Sequence, residues 1–231
     1  MTKGYIFDYG GTLDTGGNHW GKVLWHAYGR QHVAVGEEQF REAYVYAERR
    51  LGSESAIRPG FTFRETMLCK VRHQFDYLCA SYGCDLPPEQ AVAVVDDACD
   101  VAAHHTRRSA EVLRQLRDAG CPLAVVSNFY GNLQTVLEEH GLLGLFQGVV
   151  ESAQVGIRKP DPAIFRLGVE ALGLTPEGVT VVGDSMGNDI IPASQAGCHT
   201  VWIEGEQWKP GPVDRSIPGH IIHHLEELTS I

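Results

Sequence analysis

The chain is short of positive charge. Its 19 lysines and arginines face 29 aspartates and glutamates, a formal net charge of −10. Nothing basic is spare to neutralise a run of backbone phosphates, which argues against a general nucleic-acid binder. Long apolar runs are lacking as well. The stretch Tyr5-Ile6-Phe7 follows Met1-Thr2-Lys3-Gly4 directly and is too short for the apolar part of a signal peptide. No later stretch reaches the length of a membrane span, so no membrane contact is expected and the chain is read as cytoplasmic. The 6 cysteines include no C-x-x-C pair. They read as reduced packing residues rather than a disulfide framework or a zinc site. Internal repeats and low-complexity segments are also missing. What remains is ordinary globular composition, 43% hydrophobic and 21% charged. Its 231 residues suit a core of about 150 residues plus a smaller insert.

Two textures alternate along the chain. Short apolar runs at residues 5–7, 122–126, 148–150, 179–182 and 199–203 read as strands. Helical patterns at 111–119, 133–140, 162–172 and 188–196 separate the later ones. That alternation predicts an α/β fold, a Rossmann-like parallel sheet covered on both faces. Between the first two strands the pattern is helical, at 39–48, at 63–82 and again from Pro87-Pro88. This block is expected to be an inserted α-helical cap spanning 18–104, on a core of 1–17 and 105–231. Hinges are placed near 14–17 and 104–108. Pro210-Gly211-Pro212 reads as a loop, and 220–228 as a short strand and helix.

Four polar motifs fall where predicted strands end, which is where ligands bind in a doubly wound sheet. The first is Asp8-Tyr9-Gly10-Gly11-Thr12-Leu13-Asp14, a carboxylate followed by a glycine turn. A carboxylate so placed can attack phosphorus while the Gly11 and Thr12 N–H groups hold phosphate oxygens. The second, Ser127-Asn128, offers a hydroxyl and an amide to a phosphoryl oxygen. The third, Arg158-Lys159-Pro160-Asp161-Pro162, brings a compact positive charge. The fourth, Gly183-Asp184-Ser185-Met186-Gly187-Asn188-Asp189, offers Asp184 to a hard cation with Asp189 in support.

In that order and strand context the motifs resemble those of the haloacid dehalogenase superfamily, and the insert resembles that family's helical cap. The resemblance spans essentially the whole chain and is nearest to the phosphatase branches, of the phosphoglycolate-phosphatase-like kind. It implies that Asp8 is the catalytic nucleophile and forms an aspartyl-phosphate. It implies that Asp8, the Gly10 carbonyl and Asp184 bind Mg²⁺, with Asp189 supporting the metal or Lys159. Ser127 and Lys159 would hold the phosphoryl group of a small phosphorylated metabolite.

One position departs from that pattern. The phosphatase branches place a second aspartate two residues after the nucleophile, as acid and then base, and here Gly10 stands there. A positioned acid or base is worth roughly 10²–10⁴-fold in rate. His19, just past the first hinge, is a candidate replacement, since imidazole titrates near neutrality; it equally suits a helix start. Asp14 is a second candidate acid, or a turn former. The loss keeps other readings open: an acyl-phosphate- or phosphonate-cleaving enzyme, a phosphotransferase, or a catalytically weak regulatory protein that binds a phospholigand. For phosphonate cleavage neither Lys22 nor Lys70 has a convincing context. Asn128 also suits a helix N-cap. The aromatics Tyr44, Tyr46, Phe61, Phe63, Phe75 and Tyr77 read as the packing of the cap. Arg49-Arg50 and Arg107-Arg108 read as solvated charges. Oligomeric state has no signature in the sequence.

Overall fold

The computed structural model describes residues 4–53, 56–209 and 211–231. Met1 to Lys3, which carry the reading of the amino-terminal stretch, and Pro210 of the proposed loop lie outside them. Six parallel strands form one sheet. They are β1 (Gly4–Phe7), β2 (Leu123–Ser127), β3 (Gly148–Glu151), β4 (Val179–Gly183), β5 (His199–Ile203) and β6 (His220–Ile222), in the order β3-β2-β1-β4-β5-β6. The chain winds outward from β1 to β3 on one side and from β4 to β6 on the other. The order therefore reverses beside β1, which makes its carboxyl end the switch point.

Alternation along the strands divides the core. Tyr5, Phe7, Val125 and Val182 pack on one face of the sheet with residues of the helical insert. Ile6, Ala124, Val126 and Val181 pack on the other, against Ile164, Phe165 and Val169 of α7 (Ala163–Leu172). Strands buried on both faces need apolar side chains at nearly every position, which is why they read as unbroken apolar runs.

Between β1 and β2 stand α1 (Trp20–Arg30), α2 (Glu37–Ser53), α3 (Phe63–Tyr82) and α4 (Pro88–Asp118). The expected bounds of α3 are met at both ends. Thr62 accepts from the Glu65 N–H and Glu65 accepts from the Thr62 N–H, while Gly83 ends the helix in a left-handed conformation. The second hinge is corrected. Instead of a break near 104–108 followed by a separate helix at 111–119, α4 runs 31 residues without interruption. At 1.5 Å per residue that is about 46 Å, long enough to serve both the insert and the core. Nothing from 89 to 118 is glycine or proline, so the ladder has no reason to stop. At the crossing, Ser109 Oγ donates to the Leu13 carbonyl at 2.7 Å and ties the helix to the turn after β1.

The remaining helices are short: α5 (Leu133–Glu139), α6 (Ser152–Val155) and α8 (Ile191–Gln195). The helix expected at 188–196 begins later, because residues Met186–Ile190 form a wide turn in which Ser185 Oγ accepts the Asn188 N–H. No cysteine is paired with another; Cys198 is buried and Cys79 is exposed. No helix among the described residues is long and apolar enough to cross a membrane.

Candidate active site

Parallel pairing brings three of the motifs side by side. Phe7 stands opposite Val125 of β2 and Val182 of β4, so Asp8, Ser127 and Asp184 emerge at neighbouring strand ends. The Asp8 N–H donates to the Val182 carbonyl at 3.0 Å, which fixes where the side chain leaves the sheet. The glycine turn then needs its glycines. Gly11 has φ +100, and a Cβ there would lie 2.4 Å from Asp184 Oδ1, so only hydrogen leaves room for that carboxylate. Thr12 turns inward and its hydroxyl donates to Asp184 Oδ1 at 3.0 Å. It thus orients a carboxylate rather than presenting its side chain to a phosphate. The Asp184 carbonyl is held in turn by Nε1 of the buried Trp202, at 2.8 Å.

Lys159, 3% exposed, is the electrostatic centre. Its Nζ lies 2.7 Å from Asp8 Oδ1 and 2.7 Å from Asp189 Oδ1. Burial alone would strip its proton, but Asp189 and Asp8 more than offset that and hold its pKa above the ordinary lysine value. Asn128 sets the loop: its amide donates to the Lys159 carbonyl at 3.1 Å and its oxygen accepts the Lys159 N–H at 3.0 Å. The Asn128 side chain is therefore engaged by the lysine backbone. Asp189 is similarly engaged, its Oδ2 accepting the Ser185 N–H at 3.0 Å while Oδ1 faces Lys159. Its arrangement is that of a support, with Asp8 and Asp184 left to face a ligand.

Oxygens of Asp8, Asp184 and Asp189 lie within 4.8 Å of one another. Three carboxylates around one ammonium leave two negative charges unbalanced. Burial, with Asp189 and Asp8 adding, pushes the Asp184 carboxyl well up, and burial pushes Asp189 up to about 6. A small divalent cation with oxygen ligands relieves that strain, so the residues present fit Mg²⁺.

A cavity of about 490 Å³ opens over this floor, within the range of small-molecule sites. Ser127 and Gly10 also line it. So do residues of the insert, including His19, Trp20, Tyr44, Glu48, Phe63 and Lys70, and Tyr130 and Trp208 from the core. Of the insert aromatics read as packing, Tyr44 and Phe63 thus also face the cavity. A larger, more open depression of about 730 Å³ between α1 and α4 is lined by Arg30, Asp97 and His104 and touches none of the four motifs. All four motifs contribute to the lining of the smaller cavity.

The two candidate acids fare differently. His19 is the N-cap of α1, its Nδ1 accepting the Gly21 N–H at 2.9 Å, and its ring stacks on Trp208 at 5.4 Å. An imidazolium needs a proton on Nδ1, where that N–H already points. Burial pushes the pKa down to about 4, against the nearby Glu48 carboxylate, which raises it. At neutral pH His19 is a neutral cap and a poor acid. Asp14 is wholly buried. Its Oδ1 accepts the Gly11 N–H at 2.7 Å and its Oδ2 accepts Trp20 Nε1 at 2.9 Å, which locks the glycine turn to the first helix of the insert. Burial pushes it up to about 7. Tyr9, wholly buried, packs edge-on against Phe129 at 5.8 Å.

Sequence reading missed three contributors. Glu48, Lys70 and Tyr130 form a polar cluster in the cavity roof. Lys70 Nζ sits 2.6 Å from Glu48 Oε1, and the Tyr130 hydroxyl donates to Glu48 Oε2 at 2.8 Å. No spacing in the sequence joins residues on α2, α3 and the loop after β2.

Comparison with known proteins gives this geometry a family. Residues 2–197 match the model of haloacid dehalogenase-like hydrolases. Haloacid dehalogenase-like hydrolase domain-containing protein 3 of Mus musculus is 31% identical over 199 residues, 83% of this chain and 76% of that protein. Glyceraldehyde 3-phosphate phosphatase of Methanopyrus kandleri is 35% identical over 166 residues, covering 69% and 71% of the two chains. Among solved structures, a dehalogenase with an intermediate complex superposes with a TM-score of 0.67 at 19% identity, over 99% of this chain and 96% of that one, a likeness of fold.

Proposed function

The chain belongs to the family of haloacid dehalogenase-like hydrolases, and from that premise we propose that it is a Mg²⁺-dependent phosphatase acting on a small phosphorylated metabolite through an aspartyl-phosphate on Asp8. The observation that carries the reading is the floor of the cavity. Asp8 is held 2.7 Å from Lys159, with Asp184 and Asp189 within 4.8 Å, beneath a cleft of small-molecule size. The phosphatase name of the Methanopyrus relative supports the same chemistry.

Asp8 Oδ attacks phosphorus in line, and the bond from phosphorus to the leaving oxygen breaks with its electron pair on that oxygen. Lys159 and Ser127 balance charge on the phosphoryl oxygens, helped by the backbone N–H groups of the glycine turn. Water then attacks phosphorus, releasing phosphate and restoring the Asp8 carboxylate. Mg²⁺ bound by Asp8, the Gly10 carbonyl and Asp184 would draw charge from the phosphoryl oxygens and screen the approach of two anions. The insert, residues 18–104, serves as a cap over the site.

Gly10 shapes which substrates react fastest. No side chain there protonates the departing oxygen, so leaving groups stable as anions gain most. Hydrolysis of acetyl phosphate with and without Mg²⁺ tests the proposal. Turnover that needs the metal and disappears in Asp184→Ala supports it. Full turnover in excess chelator contradicts it.

A further inference from the structure

The roof of the cavity carries charge of both signs in a place where a single sign would be the simpler way to hold an anion. Lys70 is buried on α3 and its Nζ is 2.6 Å from Glu48 on α2. The Glu48 side chain is 32% accessible, although its Oε1 is itself buried. Burial would push its carboxyl up, but Lys70 and the Tyr130 hydroxyl hold it below the usual range. Lys70 Nζ also lies 5.7 Å from the Tyr44 ring and 5.2 Å from the Tyr130 ring, which shares out its charge further. An ammonium has three N–H donors and Glu48 occupies one direction. The pair therefore keeps donors on one atom and an acceptor on the other, with no net charge. The rings of Tyr44 and Tyr130 flank it, and Trp20 and Trp208 line the same cavity.

Resting on the phosphatase reading above, we propose that Glu48 and Lys70 are the specificity-determining residues of this site, and that they select a leaving group that is hydroxylated and uncharged over one bearing a second anion. A hydroxyl both donates and accepts, so it satisfies Glu48 and Lys70 together. The C–H faces of a hydroxylated ring or chain suit the aromatic walls. A carboxylate on the leaving group can reach a remaining Lys70 donor, but it then sits beside the like charge of Glu48 with only one ammonium between them. The class is thus the sugar or polyol phosphate rather than the phosphorylated acid.

Substrate competition separates this from a structural role. The ratio of kcat/KM for glucose 1-phosphate to that for phosphoglycolate is measured in the wild-type holoenzyme with Mg²⁺, in Glu48→Gln and in Lys70→Met. Wild type is expected to prefer glucose 1-phosphate. Glu48→Gln keeps the acceptor for Tyr130 but leaves the roof with a net positive charge, so the ratio moves toward phosphoglycolate by at least about tenfold. Lys70→Met moves it the opposite way, and Lys70→Arg restores the wild-type preference. Should Lys70→Met fail to fold, Glu48→Gln and Tyr130→Phe, which loosens Glu48 alone, still read the ratio. Variants that slow both substrates by one common factor overturn the inference and leave the phosphatase reading intact. So does a wild type that favours phosphoglycolate. A wild type that hydrolyses neither these substrates nor acetyl phosphate overturns both.

Discussion

Removing the metal should make this protein's stability fall as pH rises, and restoring it should cancel that fall. Asp189 has its folded pKa raised from 3.8 to about 6, and Asp184 is raised well above 3.8. A raised carboxyl pKa means that the folded state binds the proton more tightly than the unfolded chain. The stability so gained is complete below the unfolded pKa near 4 and is lost as pH climbs through the folded value. For Asp189 alone the shift of about 2 units corresponds to about 3 kcal/mol between pH 4 and pH 7. Mg²⁺ binds the ionised carboxylates, so its stabilisation grows over the same window. At one hundred times its dissociation constant it contributes about 2.7 kcal/mol. For a domain of this size that is a rise of roughly 5–11 °C in melting temperature. The assay is thermal unfolding with Mg²⁺ or chelator at pH 5 and pH 8. A large shift at pH 8 and a small one at pH 5 is expected, with the shift at pH 8 lost in Asp184→Asn. Equal shifts at the two pH values, or a full shift in the variant, would refute the reasoning.

Other consequences follow from the same cavity. Rates on a series of phosphate esters should fall steeply as the leaving-group pKa rises, because Gly10 offers no proton. Gly10→Asp should raise the alkyl phosphate rate by roughly 10²-fold. The backbone there has φ −77, and a Cβ would meet the Trp20 ring no closer than 3.8 Å, so an aspartate fits. His19→Ala should cost about 1 kcal/mol of stability through loss of the α1 cap and leave the slope of that series unchanged; a flattened or steepened slope would restore His19 as the acid. Asp14→Asn should stabilise the metal-free protein by about 2 kcal/mol at pH 8 and hardly at all at pH 4, because a buried carboxyl raised to about 7 is ionised only at the higher pH. A variant equally destabilised at both would show that the contacts to Gly11 and Trp20 need the charge.

The convergence of the candidate site's floor was legible in the sequence because each of its parts is local. A strand of apolar residues, then Asp8 and two glycines, states a strand end and a phosphate-sized turn in a few positions. The same holds for Gly183-Asp184, for Ser127 after its apolar run, and for α3, whose capping box and terminal Gly83 mark both ends. What stayed hidden depends on partners far along the chain. The continuity of α4 through the expected hinge follows from the lack of a breaker, and the buried Ala98, Ala102, Thr106, Ser109 and Leu113 keep helical spacing across it. The α1 start was half legible: His19 suited a helix start as well as an acid, and the structure makes it the cap of α1, a weak signal beside the usual Ser, Thr, Asp and Asn. Asp14 looked like a turn residue because its value lies in accepting from Trp20, which only folding brings near. Glu48 and Lys70 resemble solvated helix charges until α2 and α3 pack and Tyr130 arrives from the core. Thr12 and Asn128 lie in the motifs that suggested phosphate contact, but their side chains hold Asp184 and Lys159 in place.

The central claim is that Asp8 carries the phosphoryl group during turnover. Acid quenching of the enzyme reacting with ³²P-labelled acetyl phosphate and Mg²⁺, followed by peptide mapping, tests it directly. The account predicts acid-stable, base-labile label on the peptide containing Asp8, formed and lost at rates compatible with turnover and absent from Asp8→Asn, which should be inactive. Label on another residue, or an Asp8→Asn enzyme that retains near wild-type turnover, would contradict it.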